Sequence, residues 1–281
     1  MIPKEEILAR ANEQGLAAVM IEKDYVLGWI LNAISAHPSL KNSWVFKGGT
    51  CLKKCYFENY RFSEDLDFTV LNQNHLDVSL IQNAFNQIIK RVYEESGIEI
   101  DPSRTLFETI KNPAGQIIVQ GRIFYKGPVS PLTPRQWPRI KFDLTQHEVL
   151  VFDPVFKSIF HSHTDTTEFI DARVQSYTME ELFIEKTRAL YERTRPRDLF
   201  DVVEIWKREK PISSNMVSLI PGFHKKCSFK NANIKKLSPA AVEKCRIGWK
   251  DQLGHQLTTL PDFDEYLNFF IKKIQPFFSS C

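Results

Sequence analysis

Glycine is scarce in this chain, 11 of 281 residues, so collagen-like or Gly-rich linker architecture is excluded and the one Gly-Gly pair stands out. Cysteine is equally thin. There are five, an odd number, with no C-x-x-C spacing: Cys51 and Cys55 sit one helical turn apart, and Cys227, Cys245 and Cys281 are scattered. That pattern argues against a disulfide scaffold and predicts free thiols in a reducing cytosol. No histidine is suitably spaced beside Cys51 and Cys55, so a zinc site is not expected. No apolar run approaches the ~20 residues a bilayer requires. The opening Met1-Ile2-Pro3-Lys4-Glu5-Glu6 lacks the basic-then-apolar order of a signal peptide. The expectation is a cytoplasmic protein with no membrane partner, free of internal repeats and low-complexity tracts.

What is present is an ordinary globular mixture, 43% apolar and 25% charged, with Phe over-used at 21 copies. A chain of 281 residues can bury one large core or two modest ones. Its 37 basic and 34 acidic residues leave a net charge of +3. So small an excess excludes a histone-like or membrane-coating protein, but it permits a local basic patch.

Ile7 to Ser35 reads as helix broken near Gly15 and closed by Pro38, with Ala17, Ala18, Ile21, Tyr25, Gly28 and Trp29 as one buried stripe. Cys51 to Phe57 reads as a short helix. Asp65 to Val70 alternates polar and apolar residues as a half-buried strand does. Val78 to Ser96 is an amphipathic helix. Strands are expected over Thr105 to Lys111, Gln116 to Tyr125 and Arg139 to Thr145. From about Thr178 the pattern turns helical. Thr178-Met179-Glu180-Glu181 spells a reciprocal capping box, and Pro196 suits a helix's first turn. Further helices are expected over Pro239 to Gln256 and Phe263 to Phe277. This order suggests an α+β domain followed by helices, with a boundary near residue 170.

The chemistry concentrates at Lys47-Gly48-Gly49-Thr50 and Ser63-Glu64-Asp65-Leu66-Asp67. Glycines between a strand end and a helix start let backbone N–H groups approach a phosphate. On a strand, Asp65 and Asp67 share one face while Leu66 and Phe68 point the other way. Two carboxylates so placed can hold a divalent metal, which neutralises a triphosphate and activates an attacking hydroxyl. Alone, either half reads as a turn or a solvated strand edge; fifteen residues apart and in this order, they read as a site. A third carboxylate is expected on a neighbouring strand, and Asp143 fits, although an ordinary exposed Asp is the competing reading. Farther on, Lys186 falls in an apolar helical stripe, where it must snorkel or meet a counter-charge such as a bound phosphate. Asp198 and Asp201 share a face of the next helix, where Asp201 could simply pair with Arg197.

Phe46-Lys47-Gly48-Gly49-Thr50-x-Leu52, followed by Arg61-Phe62-Ser63-Glu64-Asp65-Leu66-Asp67-Phe68, resembles the AbiEii/AbiGii family of nucleotidyltransferase toxins, the MenT-like enzymes of abortive-infection toxin–antitoxin systems. Glu22-Lys23-Asp24-Tyr25-Val26-Leu27 is similar to the family's N-terminal helix. Glu185-Lys186 and Arg197-Asp198-Leu199-Phe200-Asp201 are similar to its later motifs. The resemblance covers about residues 20 to 205. Its Gly-to-Asp spacing exceeds that of the wider polymerase-β superfamily but suits this family.

The resemblance implies a polymerase-β-like nucleotidyltransferase domain over 1–170, a mixed sheet with flanking helices. It implies a helical bundle over 171–281 that contributes Lys186 and Asp201 to the cleft. Asp65, Asp67, Lys186 and Asp201 would be catalytic. Lys47, Gly48, Gly49, Thr50, Ser63 and Asp198 would bind the nucleotide. Asp65, Asp67 and Asp143 would hold Mg2+, or Mn2+. The implied substrates are an NTP and an RNA acceptor such as the tRNA 3′ end, and the implied partner is a cognate antitoxin protein. The stretch from Lys210 to Val242 has no Asp or Glu but holds Lys225, Lys226, Lys230, Lys235 and Lys236, with Phe223 and Phe229 among them. It reads as an RNA-backbone patch or as a solvated basic loop, and Arg135, Arg139 and Lys141 as a second basic edge. Two other functions compete: nucleotidylation of a small molecule or protein, and a non-catalytic binding module on the same fold.

Overall fold

The structure, a computed structural model, describes residues 1–111, 115–232 and 237–278. It divides into two compact units: Met1–Glu148 with Pro154–Ser176, and Val149–Asp153 with Tyr177–Cys281.

The first unit is built on a mixed sheet of eight strands: β1 (Trp44–Lys47), β2 (Asp65–Val70), β3 (Glu99–Ile100), β4 (Leu106–Lys111), β5 (Ile117–Lys126), β6 (Arg139–Thr145), β7 (Val155–Ser158) and β8 (Arg173–Ser176). Their order is β3-β5-β6-β2-β1-β8-β7, with β4 also paired to β5. β2 runs antiparallel to β1 and parallel to β6.

The helices of this unit are α1 (Lys4–Gln14), α2 (Ala18–Ala36), α3 (Gly48–Cys51) and α4 (Val78–Ser96). α1 ends where Gly15 turns left-handed at φ +63°. α2 departs from the expected single stripe. It is buried on all sides from Met20 to Ser35 apart from half-buried Lys23, while Ala17 at its entry is exposed. α3 runs directly into a π-helical turn over Leu52–Tyr56. α4 lays Ile81, Phe85, Ile88 and Val92 on the sheet. There Phe85 meets Phe107 at 4.5 Å and Phe142 edge-on at 5.0 Å. That face of the sheet is apolar because Phe46, Phe68, Phe142 and Val119 occupy alternate positions on four neighbouring strands.

The second unit is helical: α5 (Met179–Arg193), α6 (Pro196–Arg208), α7 (Lys210–Ser214), α8 (Met216–Phe229), α9 (Pro239–Leu253), α10 (Phe263–Phe269) and α11 (Gln275–Phe278), with a π-helical turn over Phe270–Ile274. Half of the expected capping box forms. The Thr178 hydroxyl accepts from Glu181 N–H. The Glu181 carboxylate instead accepts the Val151 and Phe152 N–H groups at 3.0 Å each and pairs with Lys226 at 2.7 Å. α8 replaces the expected basic loop and buries Phe223 and Lys226 in the helical core. Lys235 and Lys236 lie outside the described residues. Cys51, Cys55, Cys227 and Cys245 are free and buried, as expected of reduced thiols; Cys281 lies outside the described residues. Among the described residues, no helix is long and apolar enough to cross a membrane.

Candidate active site

Within the sheet unit, strand register assembles one group of candidate residues. Lys47 on β1 stands opposite Asp67 on β2, Asp67 opposite Asp143 on β6, Asp143 opposite Gln120 on β5, and Gln120 opposite Glu108 on β4. Residues directly paired across strands share a face, so these five side chains form one polar row. A second row runs beside it: Asp65, Lys141 and Arg122. Both rows lie on the face opposite the α4-packed aromatic residues, because β2 alternates half-buried Asp65 and Asp67 with buried Leu66 and Phe68.

Gly48 has φ +81°, in the left-handed region, and a Cβ there would run into the Asp67 carboxylate. A Cβ on Gly49 would run into the Arg61 guanidinium and come within 3.2 Å of the Ser63 Oγ. The two glycines are therefore seated on the motif that follows them. The Thr50 hydroxyl donates to the Asp65 carbonyl at 2.5 Å and ties the same two segments together. The Lys47 chain crosses β2 to donate to the Thr145 hydroxyl at 2.9 Å and to meet Glu148 at 3.3 Å. Asp143 accepts from Gln120 Nε2 at 2.8 Å.

α2 braces this arrangement through charges that are costly to bury without partners. Lys23 pairs with Glu64 at 2.7 Å. Asp24 pairs with Lys54 of the π-helical turn at 2.7 Å, both buried. Burial alone would raise the Asp24 carboxyl, but the ammonium groups of Lys54 and Lys53 outweigh it and hold it at about 2. Burial pushes Glu22 upward, offset in part by bonds from Ser130 Oγ and Val129 N–H. Behind α2, Asp165 accepts from Tyr25 Oη, Trp29 Nε1 and the His161 ring. Burial, reinforced by neighbouring His161, drives His163 down to about 3.

A second cluster of candidate residues lies within the helical unit. Lys186 Nζ meets Asp201 at 2.7 Å and Asp198 at 3.6 Å, and Arg193 grips Asp198 through two bonds of 2.7 and 2.9 Å. Both aspartates are buried. Asp201 thus supplies the counter-charge that the period of α5 demands for Lys186.

A polar face like the first one suits Mg2+. The donors are hard carboxylate oxygens, and Mg2+ characteristically takes one or two of them with substrate phosphates completing its shell. Among the described residues, no group of three or more His, Cys, Asp or Glu is gathered as a metal cage. Asp65 and Asp67 offer two such carboxylates on one face of β2, and Asp143 stands in the next strand, held by Gln120.

Several contributors carried weak sequence signals. Arg61 and Asp24 sit in motif stretches, and three consecutive charges in the apolar run of α2 mark an unusual helix. Gln120 has no local mark, and Lys141 reads from sequence only as part of a basic edge; the β2–β6–β5 register places both beside the aspartates.

Among solved structures, the chain is similar to MenT4, a nucleotidyltransferase toxin of Mycobacterium tuberculosis H37Rv, with TM-score 0.65 and 16% identity over 100% of this chain and 91% of that one. A nucleotidyltransferase-like antigenic protein of Paracoccidioides brasiliensis matches with TM-score 0.34 and 13% identity over 76% of this chain and 94% of that one. No curated protein matches the sequence. The mixed sheet with flanking helices and a helical C-terminal part is the fold shared with MenT4. The profile described as nucleotidyl transferase AbiEii toxin, Type IV TA system, matches residues 29–269, and the chain belongs to that family of nucleotidyltransferases.

Proposed function

We propose that this nucleotidyltransferase moves the NMP of an NTP onto the 3′ end of an RNA such as tRNA, and that this modification arrests growth until a cognate antitoxin relieves it. The observation that carries the reading is the polar row Lys47–Asp67–Asp143, with Gly48 seated against Asp67. It brings a phosphate-accommodating backbone, a cation and carboxylates onto adjacent strands, ~4.8 Å apart.

Each group has a task in such a transfer. Gly48 and Gly49, seated against Asp67 and Arg61, start a helix whose first N–H groups can receive triphosphate oxygens. Ser63 lies beside Gly49 and supplies a hydroxyl, and Lys47, drawn over β2 to Thr145 and Glu148, supplies a charge. Asp65 and Asp67 hold the divalent metal, Mg2+ or Mn2+. When bound, the metal neutralises phosphate charge and favours the attacking alkoxide. Asp143, fixed by Gln120 one strand away, accepts the acceptor's proton. Thr50 acts through its bond to Asp65, keeping the metal strand against the glycine loop. Lys186, Asp198 and Asp201 are assigned to the same reaction on the family motif. Their support is energetic: ion pairs this buried are seldom better than apolar packing, and they recur where chemistry needs the charge. The acceptor's hydroxyl attacks the α-phosphorus in line, the bond to the bridging oxygen breaks, and pyrophosphate leaves with the electron pair. Positioning and electrostatics supply most of the rate.

The test is incubation of the purified protein with each α-labelled NTP, Mg2+ and total cellular RNA, followed by separation of RNA, protein and small molecules. Label in RNA 3′ ends, with growth arrest on expression in cells, is the expected result. Label only in protein or in a small acceptor would assign a different substrate. No transfer to any fraction, together with normal growth, would refute the reading.

A further inference from the structure

A cleft of about 290 Å³ opens on the polar face of the sheet, lined by Asp65, Arg122, Arg139 and Lys141 with Glu108 and Asp143. The register places Lys141 directly opposite Asp65, and Arg122 directly opposite Lys141. Arg139, two residues before Lys141 on β6, shares its face. Arg122 is balanced by Glu108 at 2.7 Å. Arg139 and Lys141 are both exposed, and among the described residues neither has an ion-pair partner. Two exposed cations without an ion pair of their own therefore stand on β6, next to Asp65.

Strand order gives these cations a direction. The sheet runs β1, β2, β6, β5. The glycine loop follows β1, the two aspartates lie on β2, and the cations lie on β6, on the far side from the loop. An in-line displacement requires the acceptor and the leaving pyrophosphate on opposite sides of the α-phosphorus. If the triphosphate tail lies toward the glycine loop and the α-phosphorus over Asp65 and Asp67, the acceptor approaches across β6. A terminal nucleotide's 5′ phosphate is one sugar away from its reacting 3′ hydroxyl, comparable to the ~4.8 Å step between adjacent strands. Arg139 and Lys141 are themselves exposed, and a polymer lays its backbone along such a row and meets it by phosphate contacts.

We propose that Arg139 and Lys141 form the acceptor site of this enzyme and hold the phosphates of the RNA strand whose 3′ hydroxyl is modified. The proposal rests on the nucleotidyl-transfer reading for its direction, and it makes Arg139 and Lys141 positioning residues rather than catalytic ones.

The test measures RNA binding without nucleotide, by fluorescence polarisation of a labelled twelve-nucleotide single-stranded RNA across a salt series. Each phosphate contact on a single strand contributes ~0.7 to the slope of log affinity against log salt, so R139A/K141A should flatten the slope by ~1.4. Extrapolated from 1 M, that is a loss of ~25-fold in affinity at 0.1 M salt. The charge-conserving R139K/K141R should retain the wild-type slope. In parallel, thermal stabilisation by each NTP with Mg2+ reports folding and the nucleotide site. The expected result is lost RNA affinity with the NTP shift intact. Unchanged affinity and slope in R139A/K141A would overturn the proposal, as would a wild type that does not bind the oligomer. Loss of the NTP shift in R139A/K141A, with R139K/K141R normal, would also overturn it by assigning the cations to the triphosphate. Failure of the transfer reading itself would appear elsewhere, as a wild type with no NTP shift and no label transfer.

Discussion

Replacing Gly48 with Ala tests how the glycine loop and the metal strand depend on each other. Two costs are expected, and the structure separates them. The first is backbone strain: at φ +81° a residue with a Cβ is disfavoured by about 1–2 kcal/mol. The second is contact: the new methyl would occupy space held by the Asp67 carboxylate, which must move. A shift of about 1 Å in a reacting group can cost ~100-fold in rate. Gly15→Ala supplies the control. Gly15 also has positive φ, at +63°, but a Cβ there meets nothing within 4 Å. Gly15→Ala should therefore lose about 1–2 kcal/mol of stability with full activity. Gly48→Ala should lose at least as much stability and ~100-fold in transfer rate. Chemical denaturation and initial-rate label transfer measure the two effects. Wild-type transfer by Gly48→Ala, with the stability loss of Gly15→Ala alone, would refute the claim that Gly48 sets Asp67 for the reaction.

Lys186→Met should destabilise the protein by about 3–5 kcal/mol, because it leaves Asp201 and Asp198 short of a buried counter-charge. Lys186→Met/Asp201→Leu should recover much of that stability in urea melts while remaining inactive; recovered activity would make the pair purely structural. Acid should destabilise the fold in two windows. Asp24 has a folded pKa of about 2 against an ordinary 3.8, so its contribution, about 2 kcal/mol, is present above pH 4 and lost as pH falls toward 2. His163 is held down to about 3 from 6.5, so the unfolded chain takes up its proton first and stability falls as pH drops below 6.5. His163→Gln should flatten the upper window of a pH-dependent denaturation series and Lys54→Met the lower one; unchanged profiles would contradict both assignments.

Local features of this chain were legible where periodicity and turn chemistry act alone. β6 over Arg139–Thr145 and α4 over Val78–Ser96 follow from alternation and amphipathic spacing, and the expected inward turn of Leu66 and Phe68 is the one observed. Gly15, Thr178 and Pro196 mark helix ends at the positions their chemistry favours. What was not legible depends on distant partners. α8 carries Pro221 in its interior and no acidic residue, so it reads as a basic loop; Glu181 and Glu185 on α5 bury its Lys226. β7 and β8 are four residues each, too short for alternation to register. In the site, Gly48, Asp65 and Asp67 announce themselves through spacing. The placement of Asp143 opposite Asp67, and of Lys141 opposite Asp65, is a matter of strand register, which no local pattern encodes.

The most direct measurement of the central claim follows two labels in parallel reactions with RNA: α-labelled and γ-labelled NTP, with wild type, Asp65→Asn and Asp67→Asn. Nucleotidyl transfer on the Asp65–Asp67 face predicts that wild type retains the α label in RNA and releases the γ label as pyrophosphate, and that both variants, still folded, lose transfer by ~100-fold or more. Label retained from the γ position, or undiminished α transfer by the two variants, would contradict the account.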